Sequence, residues 1–497
     1  MTLYNNGNIS RYYSETLVLL FFPGSKFPED GSGGEPVVTM TVAEENGRVR
    51  GTVEIKEGEN TAFAEYEPPP ETAARVSSDM LCKLAAGGAM LRAGREFCQS
   101  VPPWGMITGV RPAKLCLDML EAGLCDEEVL LRLTEDFLCS PEKASLALAT
   151  AKKESFFVSP ERRRECSVYI AIPFCPTRCA YCSFVSYSSP TLLSLVPDYI
   201  VRLCEDIKNT FEIIRRLGIR VATVYIGGGT PTTLDESQLK ILIDAVNREI
   251  DVSSLDEFTV EAGRPDTITR EKMRILAEGG VTRVSVNAQT MNDEILRSIG
   301  RRHTSEDFLR AYSNALESGI RDINVDLIAG LPGEHFESFA ASADKIVSLS
   351  PTNITVHTFY VKRAADIKNS SDVYHREDMN TTMALDAAQR SVIAAGYEPY
   401  YLYKQKNTAA NLENAGFCVN GHECLYNIFM MEEIHTVFGI GASAMTKLVS
   451  PDTSNLKISR ICETKYPYEY LDKEKGSAEK RFTALMDASL AFYREYF

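Results

Sequence analysis

Three cysteines in the pattern CxxxCxxC, within Tyr169-Ile-Ala-Ile-Pro-Phe-Cys175-Pro-Thr-Arg-Cys179-Ala-Tyr-Cys182-Ser-Phe184, constrain this chain more than any other stretch. An apolar run leads straight into them, so a strand delivers the thiols to a tight loop. Thiolates this close in sequence converge on one metal centre only if the backbone winds around it. Three such ligands serve three irons of a cubane cluster and leave the fourth iron open. Two other readings stand beside this one. Zinc would need a fourth ligand from elsewhere, and structural zinc sites usually show paired CxxC units. Free cysteine is also among the most buried residue types, although Pro176, Thr177 and Arg178 do not read as core.

At 497 residues the chain exceeds what one hydrophobic core organises, so two or three domains are expected. A net charge of -15 argues against a general nucleic-acid binder, which needs a basic surface. Thirteen cysteines are too sparse for a disulfide scaffold and point to a reducing cytoplasm. The apolar run Leu17–Phe22 ends at Pro23, too short for a signal core or a membrane span, and reads as a buried strand. A soluble, cytoplasmic protein is expected.

Residues 1–160 form the first predicted region, an α+β extension. Val37–Val42 and Val49–Ile55 read as strands around the turn Glu45-Asn-Gly47. Helical spacing follows from Glu71 to Cys98, then at about 112–123, 126–138 and 141–154. Trp104 lies in a turn-rich segment with Arg111 and Lys114 and reads as a packing residue.

Strands and helices alternate over the second region, 161–365. The strands are placed at Val168–Pro173, Val221–Ile226, Glu257–Glu261, Arg283–Asn287, Asp322–Ile328 and Asn353–Tyr360. Alternation implies an α/β fold with a parallel sheet, and six units fall short of a closed eight-stranded barrel. A partial six-stranded (β/α)6 barrel is the architecture expected. Chemistry in such barrels gathers at the carboxyl ends of the strands. Those ends carry the cysteines, Gly227-Gly-Gly-Thr230, Glu261, Asn287 with Gln289, Asp326 and His357. Arg301-Arg302-His303 reads as a solvated loop.

The third region, 366–497, is expected to be an α+β domain covering the substrate. It opens with a helix at about 378–395. Tyr397, Tyr400, Tyr401 and Tyr403 suit either edge-strand packing or a face against a flat ligand. Cys418, His422 and Cys424 read as structural, their spacing being wrong for a common zinc pair.

The cysteine motif after a strand is the radical S-adenosylmethionine signature, and the rim resembles that of the oxygen-independent coproporphyrinogen III oxidases. Trp104-Gly-Met-Ile-Thr-Gly-Val-Arg-Pro, Tyr-Leu-Tyr-Lys404-Gln-Lys-Asn, Gly421-His-Glu-Cys-Leu-Tyr-Asn and Gly439-Ile-Gly-Ala-Ser-Ala are similar to the HemZ-like branch of that family. The resemblance implies that Cys175, Cys179 and Cys182 hold a 4Fe-4S cluster. It further implies that Tyr169, Tyr181, Gly228, Gly229, Thr230, Glu261, Gln289, Arg301 and Asp326 bind S-adenosyl-L-methionine. The implied reaction is anaerobic oxidative decarboxylation of coproporphyrinogen III to protoporphyrinogen IX in heme biosynthesis, an oxidoreductase activity. Its electron donor would be a protein such as flavodoxin or ferredoxin. Lys362, Arg363, Arg111 and Lys404 are candidate cations for the tetrapyrrole carboxylates. Two departures are visible: Phe184 stands where the best-described oxidases have a fourth cysteine, and Ala171 where they have histidine. A heme-binding chaperone and a heme-opening radical methyltransferase are the alternatives.

Overall fold

The computed structural model describes residues 1–29, 32–182, 186–360, 378–404, 411–452, 455–472, 477–494 and 496. Lys362, Arg363, Phe184 and positions 405–407 of the Tyr-Leu-Tyr-Lys-Gln-Lys-Asn segment lie outside them. The chain divides into two compact units.

The first unit contains Met1–Lys152 and Leu402–Asn414. Its strands β1 (Thr2–Gly7), β2 (Val37–Glu45), β3 (Arg48–Glu57) and β4 (Asn60–Tyr66) pair in chain order, β1 parallel to β2 and the others antiparallel. The β2–β3 turn is made by Asn46 and Gly47 at φ 54° and 75°, the left-handed conformation that two-residue hairpins require. Val38, Met40 and Val42 of β2 and Val49, Val53 and Ile55 of β3 alternate inward. They pack under the helix Ser78–Cys98, which Ser77 caps by accepting from Met80 N.

The run Leu17–Phe22 is not the expected strand. Leu17 and Val18 end the helix Arg11–Val18, capped by Ser10, and Leu19–Phe22 continue as a turn. A short apolar run satisfies either period, and here the serine cap and Leu20 N and Phe22 N bonding back to Leu17 O and Val18 O decide for helix and turn. Trp104 is buried and donates from Nε1 to Glu413 Oε2 at 2.7 Å, while Lys143 Nζ meets Glu413 Oε1 at 2.6 Å. Lys404 is likewise buried, donates to Ile107 O at 2.5 Å, and is thereby engaged inside this unit rather than presented to a ligand.

In the second unit β5 (Glu165–Ile172), β6 (Arg220–Gly228), β7 (Glu257–Glu261), β8 (Arg283–Ser285), β9 (Asp322–Ala329) and β10 (Asn353–Thr358) pair consecutively and in parallel. Helices Val196–Leu217, Glu236–Glu249, Arg270–Glu278, Ser305–Glu317 and Phe336–Ser348 fill the crossovers. The sheet then grows at both edges with β11 (Glu398–Lys404), β12 (Glu413–Cys418), β13 (Thr436–Ile440), β14 (Met445–Val449) and β15 (Ile458–Cys462). Its order is β11-β12-β10-β9-β8-β7-β6-β5-β13-β14-β15, so β5 and β10 never meet and the barrel stays open. The parallel run therefore has a seventh member: β13 pairs parallel with β5, where the sequence reading ended the barrel at Tyr360.

A buried ionic floor closes the amino-terminal ends of the strands. Arg283, 1% exposed, meets Glu257 at 3.1 Å and Asp322 at 3.3 Å. It also donates to His422 O and Glu423 O at 3.0 and 2.9 Å, and to Asn353 Oδ1. Glu257 accepts from Leu425 N and Tyr426 N at 3.0 and 3.2 Å, placing a carboxylate at the positive end of the helix Leu425–Met431. His422 Nδ1 lies 2.5 Å from Asp322, and Cys418 and Cys424 are buried in the same core.

Candidate functional site

The loop after β5 carries the three cysteines and is laced into its neighbours. Cys175 N donates to Tyr187 O, Ala180 N to Ile299 O and Cys182 N to Cys179 O, at 3.0–3.1 Å. The loop after β6 is tied to it by Gly229 N to Ile172 O and Thr230 N to Phe174 O, both 2.8 Å. Thr230 Oγ1 lies 3.3 Å from Cys175 Sγ. A Cβ on Gly229 would fall 2.6 Å from Phe174 O, so only glycine lets these loops approach so closely. Replacing Gly229 by alanine is expected to push the cysteine loop from its place and cut S-adenosylmethionine cleavage about 100-fold, measured as deoxyadenosine released.

Burial pushes the Cys175 thiol up to about 11, with Thr230 hydrogen bonding working the other way. A metal taking this sulfur must therefore displace a proton. No three His, Cys, Asp or Glu side chains converge as ligands of a single metal ion among the described residues. A cubane cluster asks for another arrangement, since each thiolate takes a different iron.

Glu261, at the end of β7, accepts from Tyr225 Oη at 2.6 Å and Gly228 N at 3.1 Å. Gly228 can present its N–H because it sits at φ 111°. Burial raises the Glu261 carboxyl to about 7 against those two bonds, and the Asp326 charge adds to the rise. Tyr169 and Tyr225 are register partners on β5 and β6, and their rings stack with Tyr426. The Tyr225 and Tyr426 centroids are 4.4 Å apart.

Past β8 the chain turns at Gln289, a non-glycine at φ 67°. Gln289 N donates to Asp326 O and Gln289 O accepts from Ile328 N, at 2.8 and 2.9 Å, which holds the strained conformation. Asp326 accepts from Asn324 Nδ2 at 2.7 Å and faces His357 Nε2 at 3.8 Å. Burial pushes its carboxyl up, but His357, Asn324 and Thr355 outweigh this and hold it below the usual carboxylate range. Arg301 is buried rather than solvated: Nη1 reaches Gly263 O and Asn287 O at 3.2 and 3.0 Å, and Nη2 reaches Tyr181 Oη at 3.2 Å. His303 is buried beside it, while Arg302 is exposed.

Asn287 Oδ1, Gln289 Oε1 and Arg301 Nε are buried with no hydrogen-bond partner among the described residues. Buried polar atoms are seldom left so, and three on one rim mark a place shaped for a ligand. With the carboxylates of Glu261 and Asp326, the set is rich in acceptors. That suits a molecule bearing an ammonium, a sulfonium, hydroxyls and an exocyclic amine, as S-adenosylmethionine does. Tyr225 and Tyr426 were not picked as site residues by the sequence reading; strand alternation could have flagged Tyr225, and the motif Gly421-His-Glu-Cys-Leu-Tyr-Asn contains Tyr426.

The radical SAM superfamily model matches residues 169–346. The oxygen-independent coproporphyrinogen-III oxidase-like protein HemZ of Bacillus subtilis is 37% identical over 401 residues, 79% of this chain and 77% of that protein. The heme chaperone HemW of the same organism is 33% identical over 310 residues, 61% of this chain and 77% of its own length. The solved coproporphyrinogen III oxidase HemN of Escherichia coli aligns over 69% of this chain and 83% of its own, at 20% identity and a TM-score of 0.48. The superfamily works with a 4Fe-4S cluster and S-adenosylmethionine. With three cysteines on one loop and the HemZ likeness over most of both chains, this protein belongs to the radical SAM superfamily, in the HemZ-like branch of the oxygen-independent coproporphyrinogen III oxidase family.

Proposed function

We propose that this chain catalyses the oxygen-independent oxidative decarboxylation of coproporphyrinogen III to protoporphyrinogen IX. The observation carrying the reading is the span of the HemZ likeness: it takes in 79% of the chain, against 61% for the heme chaperone. When bound, the reduced cluster and S-adenosylmethionine would supply reductive C–S cleavage and a 5′-deoxyadenosyl radical able to take hydrogen from a propionate, whose loss of CO2 leaves a vinyl group once a separate one-electron acceptor takes the remaining electron. Cys175, Cys179 and Cys182 would hold the cluster. Gly228, Gly229 and Thr230 would position the methionine end, with Tyr169 and Tyr181 beside it. Glu261, Gln289, Arg301 and Asp326 would orient the remaining polar groups and replace water around them. The region 366–497 would cover the tetrapyrrole. An external one-electron donor such as flavodoxin or ferredoxin fits this scheme, as does a reducing cytoplasm; no disulfide occurs among the described residues, and no described helix is long and apolar enough to cross a membrane.

Glu261 gives this reading a pH signature. Its raised carboxyl keeps a proton up to about pH 7, and a cationic ligand favours the carboxylate. Affinity for S-adenosylmethionine should therefore rise with pH up to about 7, and weaken by up to about tenfold per unit below it. Glu261→Gln should abolish that slope; calorimetry of the cluster-loaded protein checks both.

The function itself is tested by incubating anaerobically reduced protein with coproporphyrinogen III and S-adenosylmethionine, with mass detection of the tetrapyrrole. Loss of two carboxyl groups as CO2 is the expected result. Unchanged tetrapyrrole with tight heme retention would favour the chaperone reading, which the HemW likeness supports. Appearance of a linear tetrapyrrole from heme would favour the methyltransferase.

A further inference from the structure

Arg264 follows β7 in Glu261-Ala-Gly-Arg264-Pro-Asp266 and has no place in the scheme above. Its side chain is 3% exposed. Nη1 points to Cys179 Sγ at 3.5 Å and Thr177 O at 3.3 Å, and Nη2 to Thr177 Oγ1 at 2.9 Å. Nε and Nη2 meet the Asp266 carboxylate at 3.0 and 3.1 Å. The backbone beneath is fixed in turn, since Thr267 N and Oγ1 both donate to Arg264 O. One guanidinium thus grips the stretch between the first two cysteines and reaches the sulfur of the second. Cys175 differs, its sulfur facing the neutral hydroxyl of Thr230.

An arginine stays charged when buried, and its planar fork serves several acceptors at once. Hydrogen bonds and charge around cluster sulfurs set the reduction potential. One electron from an external donor adds one negative charge to the iron–sulfur unit. A fixed cation donating to a ligand sulfur stabilises that more negative form, and Asp266 offsets part of the effect.

We propose that Arg264 is a positioning residue that fixes the cluster loop through Thr177 and raises the cluster's reduction potential through Cys179. The proposal goes beyond the tetrapyrrole reading and holds for either outcome of that test.

The experiment is an EPR-monitored redox titration of the anaerobically reconstituted full-length protein. In Arg264→Gln the ratio of reduced to oxidised cluster at a fixed poise should fall about tenfold, a 59 mV downward shift for a one-electron couple. Asp266→Asn, at an exposed position whose side chain is 24% accessible, removes the opposing charge and should shift the midpoint upward. A purely structural Arg264 would change iron content and leave the potential alone. An unaltered midpoint in cluster-loaded Arg264→Gln overturns the proposal. If that variant takes up no cluster, Asp266→Asn decides: a midpoint unchanged or lowered overturns it equally.

Discussion

Cys179→Ala is expected to lose deoxyadenosine production by more than about 100-fold, beyond the 10–100-fold typical of groups that only support a metal ligand. The three thiols are the protein ligands proposed for the cluster, and Cys179 is buried at the centre of their motif, its backbone carbonyl bonded to Cys182 N. Alanine removes a thiolate and leaves a second iron without a protein ligand. Iron and sulfide content measured after anaerobic reconstitution should fall with the activity. Full deoxyadenosine production by this variant would be incompatible with the assignment of Cys179 as a ligand.

Arg283→Met is expected to have the largest effect on stability. Glu257 and Asp322 are each no more than 1% exposed and both lean on this one guanidinium. Methionine fills similar space but leaves the buried Glu257 carboxylate without its cation and Asp322 with only Arg321 and His422, a loss of about 3–5 kcal/mol. It also strips the donors that fix His422 O and Glu423 O, so the segment leading into the helix Leu425–Met431 loosens. Amide hydrogen exchange in β7, β8 and β9 should accelerate by about a hundredfold or more, at tenfold for each 1.4 kcal/mol. Arg283→Lys should rescue little, because an ammonium cannot reproduce the fork that serves five acceptors. Exchange rates matching the unaltered protein would mean the floor is not what holds these strands.

The central strands were legible because each sends an apolar run to a polar or glycine-rich end, and β7 fell at the residues expected. Helix Glu236–Glu249 is closed at its start by a reciprocal cap between Asp235 and Gln238, a signal local enough to stand in the sequence. What escaped was non-local. The strand β13 joins β5 from more than 250 residues away, and no window of sequence holds both. Glu257, Arg283 and Asp322 read as ordinary polar strand starts until topology stacks them into one floor. Arg301 and His303 read as solvated because charge is usually exposed; carbonyls of Gly263 and Asn287 bring Arg301 inside. Strand–helix alternation alone put Gly228, Glu261, Gln289 and Asp326 on the rim, and the resemblance added Tyr169, Tyr181 and Arg301, while the strain at Gln289 and the acceptor-rich character of the site came only with the fold.

A cluster held by three cysteines, with one iron left for S-adenosylmethionine, underlies every functional assignment above. The most direct measurement is electron–nuclear double resonance on the reduced, reconstituted protein with S-adenosylmethionine labelled at its amino nitrogen and carboxylate carbon. Hyperfine coupling of both labels to the cluster is predicted. A cubane signal that the labelled molecule leaves unaltered, or reconstituted protein without a cubane signal, would contradict it.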